Sequence, residues 1–240
     1  MHGRYPLAFK TVPLVLLPGL LCDERLWAHQ KSAFEPTRDL FIPDLTRDAS
    51  IVEMARRTLD EAPPVFALAA LSMGGYVAME IMRQAPGRVA KLALLDTMVR
   101  PDSEARAQAR RGLLALAQMG RFKGVTPKLL PRLIHPRCIG TPVAQLVQDM
   151  AEAIGKEGFV HQQQAIIERF DYRPILRDIV VPTLIVVGDN DEITPPVESE
   201  MIHQSIPHSS LVVLPECGHL PPLEYPERIT QLLSEWLDDE

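Results

Sequence analysis

The 240-residue chain has little from which a metal, redox or nucleotide site could be made. Its cysteines number three, Cys22, Cys138 and Cys217, widely spaced and without a CxxC pair. That pattern speaks against a disulfide framework, a thiolate zinc site or a redox motif, and predicts reduced thiols in a cytoplasmic protein. Six of the seven histidines, at positions 2, 29, 135, 161, 203 and 208, show no metal-ligand spacing. Neither GxGxxG nor GxxxxGK[ST] occurs, so nothing asks for a nucleotide, and no cofactor is expected. Positive charge is not in excess: 25 Lys and Arg stand against 31 Asp and Glu, a net charge of −6. This argues against a general nucleic-acid binder. No apolar run is long enough to span a bilayer. The stretch VPLVLLPGLLC is interrupted by Pro18-Gly19 and has Leu21, not a small residue, before Cys22, so it reads as a buried strand and not a secretion signal.

What is present is ordinary globular material, with 46% hydrophobic and 23% charged residues and length enough for one sizeable core. Short apolar runs at 12–17, 40–42, 65–71, 92–95, 184–187 and 211–214 read as strands, and the segments 50–61, 75–84, 196–204 and 226–236 read as helices. Strand alternating with helix predicts an α/β fold: a mostly parallel sheet with helices on both faces. From Pro101 to Tyr172 the alternation stops. Helix formers at 105–119, 142–154 and 159–170, punctuated by prolines, predict a helical cap over 101–172, with residues 1–100 and 173–240 forming the core. Residues 101–140 carry eight basic side chains against only Asp102 and Glu104. Such a stretch could favour an anionic substrate, but a solvated helix face is the simpler account.

The stretch FALAALSMGGY poses the functional question. An apolar run ends on Ser72 and turns into a helix, with Ala70, Gly74 and Gly75 letting the backbones pass closely. A serine that only caps a helix needs no small neighbours on both sides, so a nucleophile is the stronger reading. Reactive groups in an open parallel sheet collect at the carboxyl ends of strands. The run at 184–187 leads into GDNDEITPP, offering Asp189 and Asp191, and the last strand leads into PECGHLPPLEYPE, offering His219. Asp96, ending the strand in KLALLDT, is a third candidate acid. The order Ser72, Asp191, His219 is that of the nucleophile-elbow hydrolases.

Across nearly its whole length the chain resembles the α/β-hydrolase family, in particular small capped bacterial carboxylesterases and enol-lactonases. The marks are LLPG at 16–19, ALSMGG at 70–75, RFDYRPIL, VPTLIVVGDNDEITPP, and CGHLPPLEYPE with its closing helix. Two departures stand out. Ala70 replaces the usual first glycine of the elbow, and Pro18-Gly19 replaces the usual His-Gly of the N-terminal loop. The resemblance also implies that the sheet lacks one or both of the family's first two strands. It implies a serine hydrolase of carboxylic esters or lactones, with Ser72 as nucleophile, His219 as base and Asp191 as acid. The backbone N–H groups of Leu20 and Met73 would form the oxyanion hole. The expected partner is a small-molecule ester or lactone. A carbon–carbon hydrolase using the same three residues, or a binding sensor with little turnover, are the alternatives, and oligomeric state is not legible. Leu113, Leu116, Met119, Phe122, Phe159 and Phe170 are plausible pocket residues, although helical spacing of apolar residues more often signals packing.

Overall fold

The structure, a computed structural model, describes residues 11–239. Six parallel strands form the sheet: β1 (Leu14–Leu17), β2 (Leu40–Phe41), β3 (Phe66–Leu71), β4 (Val89–Leu95), β5 (Thr183–Gly188) and β6 (Ser209–Leu214). Their order in space is β2-β1-β3-β4-β5-β6, so the chain reverses its direction of travel between β1 and β3. Such a switch point opens a crevice at the carboxyl edge. The expected loss of N-terminal strands falls on residues 1–10, which lie outside the described residues.

The two faces of the sheet are read from the alternation of side chains. Leu14, Leu16, Ala67, Ala69 and Leu71 point to one side, where they meet Phe34 of α1 (Ala28–Phe34) and, from the C-terminal end of the chain, Leu233 and Trp236. Val15, Leu17, Leu68 and Ala70 point to the other. There they pack on Met54 of α2 (Ile51–Glu61) and on Val77 and Ile81 of α3 (Met73–Gln84). With both faces covered, β3 is buried at every residue and needs no polar alternation. The helix α1 is absent from the sequence-based expectation. Only Gln30 and Phe34 are buried in it, so it carries no apolar stripe to read.

Between β4 and β5 the chain forms α4 (Glu104–Gln118) and α5 (Pro142–Ile167) and adds no strand. The expected pair of helices at 142–154 and 159–170 is one element broken at Gly155, whose φ of 68° lies outside the helical region, and it stops at Ile167. After β5 come α6 (Pro196–Ser205), the short α7 (Pro221–Glu224) and α8 (Pro226–Asp238), the last covering the face shared with α1. Among the described residues no helix is long and apolar enough to cross a membrane.

Candidate active site

Parallel register places four strand ends side by side. Leu71 is level with Leu95, Leu95 with Val186, and Gly188 with Leu214. The ladder runs one residue further: Ser72 N–H donates to Leu95 O (3.0 Å), Asp96 N–H to Val186 O (2.9 Å) and Asp189 N–H to Leu214 O (2.9 Å). The residues that leave the sheet here are bent sharply. Among the described residues, the non-glycine positions with positive φ are Leu21 (58°), Ser72 (54°), Asp96 (42°) and Glu216 (52°), each in a loop that follows a strand at this edge. Conformations of this kind cost about 1–3 kcal/mol each and persist only where the surroundings fix them.

The corner after β3 is fixed by close packing. A Cβ on Gly74 would lie 2.6 Å from Leu17 O, and one on Gly75 would lie 2.7 Å from Thr97 Cβ. Thr97 Oγ1 in turn donates to Ser72 O (2.7 Å). Ser72 stands immediately before α3, but its side chain makes no capping bond to the helix. Its hydroxyl is paired with His219 Nε2 at 2.8 Å, and His219 Nδ1 is 2.8 Å from Asp191 Oδ2. All three residues are buried.

Asp191 is held from four directions. Ile193 N–H and Thr194 N–H donate to Oδ1 (2.7 and 3.1 Å), and Thr194 Oγ1 (2.6 Å) and His219 meet Oδ2. Burial alone pushes the carboxyl up, yet the His219 imidazole beside it and these hydrogen bonds outweigh burial and hold it well below the usual carboxylate range. The other candidate acids are placed differently. Asp189, in the loop after β5, accepts from Cys217 N–H (3.3 Å) and so ties that loop to the one after β6. Asp96 lies behind Asp191 and accepts from Gly188 N–H (2.9 Å).

The loop carrying His219 is gripped by residues that sequence reasoning missed. Glu224 accepts from Gly218 N–H (3.1 Å) and Leu220 N–H (3.2 Å), on either side of the histidine, and from His135 N–H (2.8 Å) in the segment between α4 and α5. His219 N–H itself donates to Leu133 O (3.0 Å). Gly218 is required for room, not for conformational freedom: a Cβ there would lie 2.7 Å from His135 N, and its φ is not positive. Gln162, fully buried in α5, accepts from Leu21 N–H (3.0 Å) and so pins the loop after β1. The Leu20 and Met73 N–H groups belong to this rim, at the loop after β1 and the start of α3, and neither has an acceptor among the described residues.

A cavity of about 250 Å³ opens over Ser72 and His219. Leu20, Leu71, Leu113, Val125, Leu133 and Leu220 supply apolar wall, and Arg106, Arg110 and Arg132 also reach it. Three of the basic residues expected on a solvated face therefore face the cavity. Asp102 accounts for two of them: it pairs with Arg106 (3.5 Å) and Arg110 (2.6 Å), and also with the buried Arg169 (3.0 Å). Of the expected pocket residues only Leu113 lines the cavity. Leu116, Met119 and Phe170 are exposed, and Phe122 packs on Phe159 with ring centroids 5.1 Å apart. The three cysteines are free and buried.

A model of the alpha/beta hydrolase family matches residues 12–232, and the chain belongs to that family. It is 29% identical over 233 residues to the pimeloyl-[acyl-carrier protein] methyl ester esterase of Nitrosomonas europaea, covering 90% of this chain and 91% of the relative. Among solved structures, a thermophilic esterase from Thermogutta terrifontis is 32% identical, with a TM-score of 0.84 over 94% of this chain and 89% of that one. The enol-lactonase from Burkholderia xenovorans LB400 has the same fold at 22% identity, with a TM-score of 0.83 over 95% and 92% of the two chains. Family and esterase relatives together class the chain as an ester hydrolase.

Proposed function

We propose that Ser72, His219 and Asp191 are a catalytic triad with which this chain hydrolyses carboxylic esters or lactones through an acyl-enzyme. The observation that carries this reading is the continuous pair of 2.8 Å contacts from Ser72 Oγ through the imidazole to Asp191. A serine hydroxyl is a weak nucleophile until a base takes its proton. His219 Nε2 accepts that proton as Oγ attacks the ester carbonyl, and Asp191 fixes the ring's orientation and stabilises the imidazolium. The oxyanion points at the N–H groups of Leu20 and Met73, donors each worth about 3 kcal/mol in such sites. His219 then returns the proton to the departing alkoxide. Water, deprotonated by the same imidazole, attacks the acyl-enzyme and releases the acid. These steps use no cofactor.

Residues 101–172 act as the cap that shapes the acyl site, over a core of 1–100 and 173–240. The mostly apolar cavity suits a small to medium acyl group, and the arginines at its wall suit an ester whose far end is anionic or is attached to an acidic carrier, as the name of the Nitrosomonas relative suggests. Buried free thiols are in keeping with a cytoplasmic setting.

The test is intact-mass spectrometry after fluorophosphonate treatment, with peptide mapping and with Ser72→Ala and His219→Ala as controls. One adduct at Ser72, lost in both variants, is expected. An unlabelled serine, under conditions that label a known esterase, would put the binding-sensor alternative ahead. Turnover of a panel of neutral and anionic esters, lactones and carbon–carbon substrates then fixes the reaction type.

A further inference from the structure

Asp96 is a wholly buried carboxyl group that the triad chemistry does not use. Its Oδ1 accepts from Gly188 N–H, the last residue of β5, and the chain reaches Asp191 three residues later. Its Oδ2 has no partner among the described residues. One oxygen of Asp96, one oxygen of Asp191 and one ring nitrogen of His219 lie within 4.8 Å of one another. Titratable groups face Asp96 from each neighbouring loop: Asp191 after β5, and Cys217, His219 and Glu224 after β6.

Two carboxylates this close and this dry repel each other, which drives one of them strongly toward its neutral form. The number of donors decides which one keeps its charge. Asp191 has four, two from backbone N–H groups, one from Thr194 Oγ1 and one from His219, whereas Asp96 has one. A bare carboxylate oxygen at Oδ2 would also be an unpaired buried charge, which is far costlier than a neutral hydroxyl.

We propose that Asp96 is a neutral carboxylic acid and a positioning residue, its Oδ1 anchoring the turn at Gly188 and its Oδ2–H directed at the Asp191 carboxylate. The inference rests on the triad reading, since Asp96 acts through Asp191. Burial pushes the Asp96 carboxyl well above its ordinary range, and the Asp191 charge pushes it further; the Gly188 N–H works the other way. The pair then carries one negative charge, on the carboxylate that orients His219.

The experiment uses the full chain. The infrared difference at neutral pH between wild type and Asp96→Asn shows the carbonyl stretch of a protonated carboxyl group; a difference containing only carboxylate stretches overturns the proposal. In kinetics, Asp96→Ala lowers kcat roughly tenfold at nearly constant KM, the scale expected when a catalytic group is slightly misplaced. Asp96→Asn keeps an acceptor for Gly188 and a donor toward Asp191, so it recovers most of that loss. The acid limb of its kcat/KM profile coincides with that of wild type, whereas removing a second negative charge near the imidazole would move the limb to lower pH and overturn the neutral assignment. An Asp96→Ala variant with wild-type kcat overturns the positioning role. Should Asp96→Ala fail to fold, the spectrum and pH profile of Asp96→Asn decide. Fluorophosphonate labelling of wild type separates the two readings: an unlabelled Ser72 defeats the triad while the infrared band still reports on Asp96.

Discussion

The strands beneath the site and the helical segment above it are held in different ways. In β3 every side chain is buried, and in β4 and β5 nearly every one, with apolar contacts on both faces and a hydrogen-bonded ladder that continues into Ser72, Asp96 and Asp189. In α4, by contrast, only Ala107 and Ala117 are buried, Leu113 and Leu116 remain exposed, and much of the attachment runs through Asp102 and its arginines. Backbone geometry therefore positions Ser72 and the strand ends beside it, and side-chain ion pairs help to hold the walls around them. On the proposed reading, the chemistry belongs to the strand edge, and substrate choice to the part that polar side chains hold.

The comparison is broken most directly at the serine and histidine. Ser72→Ala and His219→Ala each lower kcat/KM for an ester by about 10⁴-fold or more, the scale seen when a triad member is removed. Thermal unfolding should leave both variants folded, because neither change disturbs the ladder. The next largest effect is expected at Asp102, which side-chain burial shields from water along with Arg169. Asp102→Ala strands the Arg169 charge, so unfolding measurements should show a loss of about 3–5 kcal/mol. Hydrogen exchange should rise first in α4 and the end of α5, not in β3. If β3 exchanges first, the division between the two regions is wrong. Gly75→Ala drives a methyl group into Thr97 and costs about 1–3 kcal/mol by overpacking, with kcat falling because Ser72 is displaced. The smallest effect is at Arg132, about half exposed and 3.5 Å from Glu192. Arg132→Gln leaves stability within about 1 kcal/mol. It raises KM for anionic esters relative to neutral ones, and equal changes for both would remove Arg132 from substrate selection.

Much of the core was legible because its signals are local. A continuous apolar run, a corner of small residues and proline-bounded helices mark β3, α3 and α8 within a dozen residues of sequence, and the strand ends follow from them. Other parts had no local mark. Gln162 meets Leu21 across 141 positions and Glu224 meets His135 across 89, and nothing near either residue announces its partner. The basic run at 101–140 was misleading for a related reason. Spacing along a helix shows which side chains share a face, but not that Arg106, Arg110 and Arg132 face a cavity whose floor comes from β3 and the loop before α7.

By itself the sequence determined the alternation of strands and helices, the sharp corner at Ser72 and the order in which serine, acids and histidine leave the sheet, since these depend on neighbours in the chain. Only the tertiary structure shows which of Asp189, Asp191 and Asp96 meets the imidazole. Parallel register brings all three to one edge, and distance then separates them: Asp191 reaches the imidazole, Asp189 ties its loop to Cys217 in the loop after β6, and Asp96 sits behind Asp191 at Gly188. Which carboxylate meets a histidine depends on how strands from distant parts of the chain are aligned, and no local pattern of residues encodes that alignment.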